Sequence, residues 1–293
     1  MSEPIVIHLP YCPPWEWGQF HEHFALRLLP GVEALEQERY SRNFRLAEVR
    51  GWFSVRPLPE RDALELTLSA SAAGVREPLA AHVRKMFDLD TEPQTLLRHF
   101  AQDDAIGPLI AAKPSLRLPA AFDPFEQAVR AIINQQVSIK AAVTITRRLV
   151  ERLGEPQHDP AMPMLDRLFP TPEAIASATL DAIGMPAKRL AALQRFAASV
   201  AQGALELHVE DGADALVARL CELPGIGPWT AQYIALRGFG EADAFPAADL
   251  GLLKAPTWGP DGIGAKALAK RADAWRPWRA YAAIHLWRNY AGR

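Results

Sequence analysis

The stretch Leu223-Pro224-Gly225-Ile226-Gly227-Pro228-Trp229-Thr230-Ala231-Gln232-Tyr233 constrains this chain more than any other. Apolar residues recur at helical spacing from Leu216 to Leu223, two glycines then break the pattern, and Pro228 suits the first turn of a following helix. Two helices therefore meet through a tight turn. With no side chain at Gly225 or Gly227, backbone N–H groups at the start of the second helix can approach an anion closely, and the helix dipole adds partial positive charge. A phosphate is the natural guest, although Gly and Pro also punctuate ordinary loops.

Further on, Phe245-Pro246-Ala247-Ala248-Asp249-Leu250 sets a carboxylate before an apolar run, with Lys254 close behind. Upstream stand Phe125-Glu126-Gln127-Ala128-Val129-Arg130-Ala131-Ile132-Ile133-Asn134-Gln135-Gln136-Val137-Ser138 and Gly184-Met185-Pro186-Ala187-Lys188-Arg189. The C-terminal segment reads Trp275-Arg276-Pro277-Trp278-Arg279-Ala280-Tyr281, with His285 and Trp287 beyond. In this order, over most of Pro119 to Trp287, these motifs resemble the helix-hairpin-helix glycosylase superfamily of DNA repair, specifically its 3-methyladenine DNA glycosylase II branch. A weaker likeness reaches Pro13-Pro14-Trp15-Glu16-Trp17.

A chain of 293 residues is long enough for more than one domain and for a core that needs no staples. The two cysteines, Cys12 and Cys221, cannot supply a four-thiolate cluster, so the iron–sulfur centre of some superfamily members is not expected. The histidines lack metal-ligand spacing, and no side-chain metal site is expected. In relatives the hairpin carbonyls hold a monovalent cation, Na+ or K+, and the resemblance extends that expectation here. No apolar run reaches transmembrane length, and the N-terminus has no basic start or apolar core of a signal peptide. Cytoplasmic residence is expected, with association to the nucleoid when bound to DNA.

The net charge of −2 argues weakly against a nucleic-acid partner, but its distribution softens that. Residues 1–100 carry 11 Lys and Arg against 14 Asp and Glu, residues 101–214 the same, and residues 215–293 carry 10 against 6, so the positive excess falls on the segment with the hairpin.

The fold class expected is α+β. Strands are read at Pro4 to Pro10, Arg45 to Arg50, Trp52 to Leu58 and Leu64 to Leu68, with turns at Gly51 and Pro59-Glu60, and helices at Gln19 to Leu29 and Glu77 to Phe87. From Asp90 onward helices dominate: Thr95 to Gln102, Phe122 to Ile133, Lys140 to Leu153, Thr171 to Ala178, Lys188 to Gln202, Ala213 to Leu223, Trp229 to Arg237 and Lys266 to Trp287. This divides the chain into a sheet-containing unit (1–100), a helical unit with the helix-hairpin-helix at 222–234 (101–240), and a C-terminal helical lobe closing a cleft (241–293).

Asp249 has two readings. It can cap the helix that follows, or it can stabilise the oxocarbenium character that builds on deoxyribose as a glycosidic bond breaks, while orienting a water. Both can coexist, and Asp243 in the same loop is the lesser candidate. One carboxylate suffices where the leaving base already carries positive charge, unlike ordinary sugar hydrolysis with two. Trp229 and Tyr233, four apart, share a helix face; they are either core aromatics or a wall that attracts a cationic base, and the resemblance adds Trp287 as a further wall. It also implies that Gln136 or Gln135 fills the gap left by an extruded base, the alternative being that they hydrogen-bond their own loop. Gly225, Gly227, Pro228, Thr230 and Lys254 are the remaining DNA-contact candidates. In relatives that also cut the strand, a lysine nucleophile occupies the place that Trp229 holds here, and an indole cannot form a Schiff base. The resemblance thus implies a monomeric, monofunctional glycosylase for alkylated bases such as 3-methyladenine and 7-methylguanine in double-stranded DNA. The alternatives are a glycosylase for deaminated or oxidised bases such as hypoxanthine, and a damaged-DNA-binding protein without chemistry.

Overall fold

The computed structural model describes residues 3–292. Five strands, β1 (Ile5–Pro10), β2 (Glu33–Glu36), β3 (Arg39–Leu46), β4 (Val49–Leu58) and β5 (Ala63–Leu68), form an antiparallel sheet in the order β1-β5-β4-β3-β2. Helices α1 (Trp17–Ala25) and α2 (Arg76–Met86) pair with it, and Phe20, Phe24, Tyr40, Phe53, Leu66, Val83 and Phe87 build an aromatic-rich core. The turn expected at Gly51 falls elsewhere. Ala47 takes it, at φ 51°, and Gly51 lies inside β4 opposite Phe44, where a Cβ would collide with the Ser69 and Ser71 hydroxyls. The segment Arg45 to Arg50, expected as one strand, therefore straddles a hairpin bend. A glycine marks close approach here rather than a turn.

The helical body comprises α3 (Pro93–Phe100), α4 (Ile106–Ala112), α5 (Pro124–Ile133), α6 (Ile139–Leu153), α7 (Pro172–Ser177), α8 (Ala187–Ala201), α9 (Ala213–Cys221), α10 (Pro228–Phe239), α11 (Leu250–Leu253), α12 (Ala265–Ala272) and α13 (Arg279–Ala291). The pattern read as one helix from Lys266 to Trp287 is two, separated by a short 3-10 turn at Asp273–Trp275 and by Pro277, which has no N–H to donate and disfavours helical backbone before it. α4 escaped the sequence reading altogether. Helices α5 and α10 lie at the centre: Ala128, Ala131 and Ile132 of the first and Ala231, Ile234 and Ala235 of the second are all buried, and their small side chains let the helices pack closely.

A buried ionic network ties α5 to the sheet. Arg42 of β3 donates to Glu126 at 2.7 Å, Arg130 reaches both Glu126 (2.5 Å) and Glu33 (3.1 Å), and Tyr40 Oη donates to Glu33 at 2.7 Å. Each charge has its counter-charge, as burial of this kind requires. Helix α5 carries the Gln135-Gln136 loop at its C-terminal end, so the sheet fixes where that loop emerges. Cys12 and Cys221 are both free thiols.

Candidate active site

The hairpin forms as its sequence implies, but its two glycines do different work. Gly225 has φ +99°, and a Cβ there would lie 2.6 Å from the Ala192 Cβ on α8; only glycine fits. Gly227 is the N-cap of α10 with ordinary extended backbone (φ −95°, ψ 171°) and open space where a side chain would project, and Pro228 opens the helix. The N-terminus of α10 is therefore open beside Gly227. Thr230 is buried behind it, and its hydroxyl accepts from Gln135 Nε2 at 3.0 Å, so the side chain expected among the DNA contacts faces the protein interior.

The two glutamines part company. Gln135 Nε2 also donates to the Gly225 carbonyl at 3.0 Å, tying its loop to the hairpin. Gln136 is exposed and has φ +57°, a conformation uncommon for residues other than glycine. Of the pair, only Gln136 projects from the protein. Ser138 then caps α6 by accepting from Ala141 N.

Asp249 is half-buried at the N-terminus of α11, reached through a turn in which the Asp249 N–H bonds the Pro246 carbonyl and the Phe245 N–H bonds Gln232 Oε1 of α10. Its carboxylate caps α11 and is gripped by two indoles at once. Oδ1 accepts from Gly251 N (2.9 Å), Leu252 N (3.3 Å) and Trp287 Nε1 (2.7 Å), and Oδ2 accepts from Trp229 Nε1 (3.0 Å). A carboxylate offers about four lone-pair sites, two per oxygen, so Oδ2 with its single partner is the oxygen left able to engage a ligand. Gly251 makes the clamp possible: a Cβ there would lie 3.0 Å from Trp287 Cδ1 and 3.1 Å from Asp249 Oδ1. Asp243 is instead held in ion pairs with Arg276 and Arg279 at the start of α13, which accounts for it structurally. Lys254 lies exposed at the end of α11 and donates to the Asp261 carbonyl at 2.9 Å.

Trp229 and Tyr233 stack on each other, ring centroids 5.2 Å apart and planes 13° from parallel, so they form one two-layer wall rather than two facing ones. Trp287 meets Tyr233 edge-on at 6.2 Å. Behind Tyr233 lie two arginines that the sequence reading passed over, Arg27 from the segment just after α1 and Arg237 from α10. Burial pushes the Tyr233 phenol up, but both guanidinia interact with its oxygen and together hold it below the ordinary tyrosine value. Tyr233, Arg27, Asn134, Ile139 and Thr146 line a half-open pocket between α1, α5, α6 and α10. Hydrophobic Leu250, 65 % exposed, stands on the surface immediately after Asp249.

A helix start with open space at its N-cap, a projecting Gln136 whose loop is tied to it through Gln135, and a carboxylate clamped by the indole of Trp229 are brought together by α10. The sequence matches the AlkA N-terminal domain family over residues 6–123 and the family described as HhH-GPD superfamily base excision DNA repair protein over residues 129–258. The chain belongs to the helix-hairpin-helix superfamily of base excision DNA repair proteins, on its AlkA-like branch. Among individual relatives it is similar to DNA-3-methyladenine glycosylase 2 of Escherichia coli K12, 35% identical over 278 residues that cover 94% of each chain. It is 36% identical over 287 residues to a probable bifunctional transcriptional activator/DNA repair enzyme AlkA of Mycobacterium tuberculosis, matching 97% of this chain and 56% of that longer one. In structure it is similar to a 3-methyladenine DNA-glycosylase from Archaeoglobus fulgidus, with a TM-score of 0.82, 21% identity and 98% of each chain covered.

Proposed function

We propose that this protein is a monofunctional DNA glycosylase that extrudes alkylated bases of the 3-methyladenine and 7-methylguanine type from duplex DNA and hydrolyses their N-glycosidic bond, leaving an abasic site. The observation that carries the reading is the Asp249 carboxylate, oriented by two indole N–H groups beside the hairpin, together with 35% identity to the E. coli glycosylase over nearly the whole chain.

On this reading the N–H groups at the start of α10 hold a backbone phosphate, Gln136 enters the stack, and the extruded base lies against the Trp229–Tyr233 wall. As the bond to the base lengthens, positive charge builds on the sugar. A carboxylate about 4 Å away contributes about 4 kcal/mol of attraction at an effective dielectric constant of about 20, roughly a thousandfold in rate. A base that already carries positive charge leaves without a proton donor, and the wall's π faces favour it over its neutral counterpart. Water completes the reaction at the anomeric carbon, with Oδ2 placed to orient it. Trp229 stands where strand-cutting relatives have lysine, so no Schiff base forms. A monovalent cation at the hairpin would be held by backbone carbonyls; those of Leu223 and Gly225 accept from Ile226 N and Gln135 Nε2 and keep a lone pair each, and the ion would add positive charge beside the phosphate.

The test is base release from dimethyl sulfate-treated duplex DNA by wild type and Asp249→Asn, with chromatography of the freed bases and a gel for strand breaks. Methylpurines should appear with wild type alone, strands staying intact until alkali is added, while Asp249→Asn still binds DNA. Equal release by the variant would sink the assignment of Asp249, and DNA binding without release of any base would make the protein a binder.

A further inference from the structure

We infer that Arg237 is a positioning residue for Asp249, acting through the two indoles that clamp it; the inference rests on the glycosylase reading above. Arg237 is 9 % exposed and, among the described residues, makes no salt bridge. Its Nη1 donates to the Pro119 carbonyl at 3.1 Å, while its Nε has no partner. A buried guanidinium without a carboxylate is costly, and nothing in the packing of α10 demands a charge there. Its other neighbours are the Tyr233 and Trp287 rings of the site and the Arg27 guanidinium, whose like charge adds to the cost.

Counting back along α10 from Arg237, Tyr233 is one turn away and Trp229 two, so the three side chains share a face. The Arg237 guanidinium lies 5.2 Å from the centroid of the Trp287 ring and also interacts with the Tyr233 phenol. Tyr233 in turn stacks on Trp229. Both N–H groups that grip Asp249 therefore trace back to one side chain, Trp287 directly and Trp229 through Tyr233.

Two physical consequences follow. On this inference the guanidinium 5.2 Å from the Trp287 ring centroid restrains rotation of the ring away from the carboxylate. A cation over the ring also draws electron density from the indole and strengthens its N–H as a donor. The bond from Trp287, the ring under the guanidinium, is the shorter of the two, 2.7 Å against 3.0 Å from Trp229.

The experiment measures steady-state release of methylpurines from dimethyl sulfate-treated duplex DNA by wild type, Arg237→Met, Arg237→Lys, Trp287→Phe and the double variant Arg237→Met/Trp287→Phe. Affinity for a duplex with an abasic-site analogue is measured alongside. Arg237→Met should lower kcat by about tenfold to fiftyfold while KM and analogue affinity stay within about twofold, because the group acts on the reacting carboxylate and not on DNA binding. Arg237→Lys keeps the charge but loses the flat stack and should recover part of the loss. The double variant should be slower than Trp287→Phe by clearly less than the loss that Arg237→Met causes alone, since the route through Trp287 is already gone and only that through Tyr233 to Trp229 remains. Multiplicative losses, an unchanged kcat, or a fall in affinity matching the fall in kcat would each overturn the inference. Should Arg237→Met not fold, Arg237→Lys decides: a kcat within about twofold of wild type overturns it, and a loss of about threefold to tenfold at constant KM supports it. Wild type inactive, or Asp249→Asn as active as wild type, would instead count against the glycosylase reading, so the two failures are distinct.

Discussion

Alanine at each hairpin glycine should separate folding from DNA binding. At Gly225 the methyl group meets two penalties: a backbone at φ +99°, which costs a residue with a side chain about 1–3 kcal/mol, and a 2.6 Å approach to the Ala192 Cβ, where ordinary carbon contacts lie near 3.5–4.0 Å and overpacking costs about 1–3 kcal/mol. The sum is about 2–6 kcal/mol, and at about 2–4 °C per kcal/mol for a chain of this size Tm should fall by roughly 10 °C. At Gly227 neither penalty applies. Loss of a glycine N-cap costs about 1 kcal/mol or less, and Tm should move by only a few degrees. There the methyl group would lie instead in the path of the phosphate proposed to approach the first turn of α10. Displacing one charge-assisted contact, worth about 1.5–3 kcal/mol, should weaken binding by about tenfold to hundredfold. Thermal denaturation by circular dichroism and fluorescence anisotropy with a duplex carrying an abasic-site analogue, at fixed salt, read the two effects independently. Equal losses of Tm in the two variants would refute the steric argument. An unchanged affinity in a well-folded Gly227→Ala would refute the phosphate site.

Trp229→Phe keeps a ring to stack on Tyr233 but leaves Asp249 Oδ2 without its donor; with about 1.5–3 kcal/mol at stake, single-turnover base release should slow by about tenfold to hundredfold, and equal or faster release would show that the indole restrains the carboxylate rather than orienting it. His285 on α13 supplies a pH dependence of stability. Burial lowers its pKa from 6.5 to about 4, against an opposing hydrogen bond with the Leu109 backbone, so the unfolded chain takes up a proton that the folded one refuses. Its contribution is intact above about pH 6.5 and is lost as pH falls toward 4; at 1.36 kcal/mol per unit this amounts to about 3 kcal/mol. Urea unfolding across that range should show the slope in wild type and a flatter one in His285→Gln, and identical slopes would assign the acid sensitivity to another group.

Much of this architecture was legible because short-range chemistry dictates it. Pro228 opening α10 and Asp249 capping α11 are local events, and the sequence places them within a residue. Both readings of Asp249 are compatible: the carboxylate that caps α11 through Oδ1 keeps a lone pair on Oδ2. What periodicity could not supply were relations set by tertiary packing. Gly51 carries the signature of a turn, yet it is needed inside a strand because Ser69 and Ser71 cross above it. The break between α12 and α13 was written in Pro277 and was overridden by the apolar pattern on either side. Gly251 had a weaker signal, a glycine two residues past a capping aspartate, and its purpose is visible only once Trp287 arrives from the far end of the chain. Arg237 shares the i, i+4 stripe with Trp229 and Tyr233, and extending that stripe by one turn would have found it. Arg27, brought in from the segment just after α1, left no mark at all.

The Gln135 amide has a consequence for how such a molecule would travel along a duplex. One nitrogen holds both the Gly225 carbonyl and the Thr230 hydroxyl, so the loop that presents Gln136 is stitched to the turn proposed to hold the phosphate. On the proposed reading the probe and the grip form one gauge. Wherever the proposed contact with the backbone is made, the exposed glutamine arrives at the same offset from it, with no loop to be ordered first. On the proposed reading inspection would cease to be a separate act: every foothold on the backbone would already be a measurement of the base beside it.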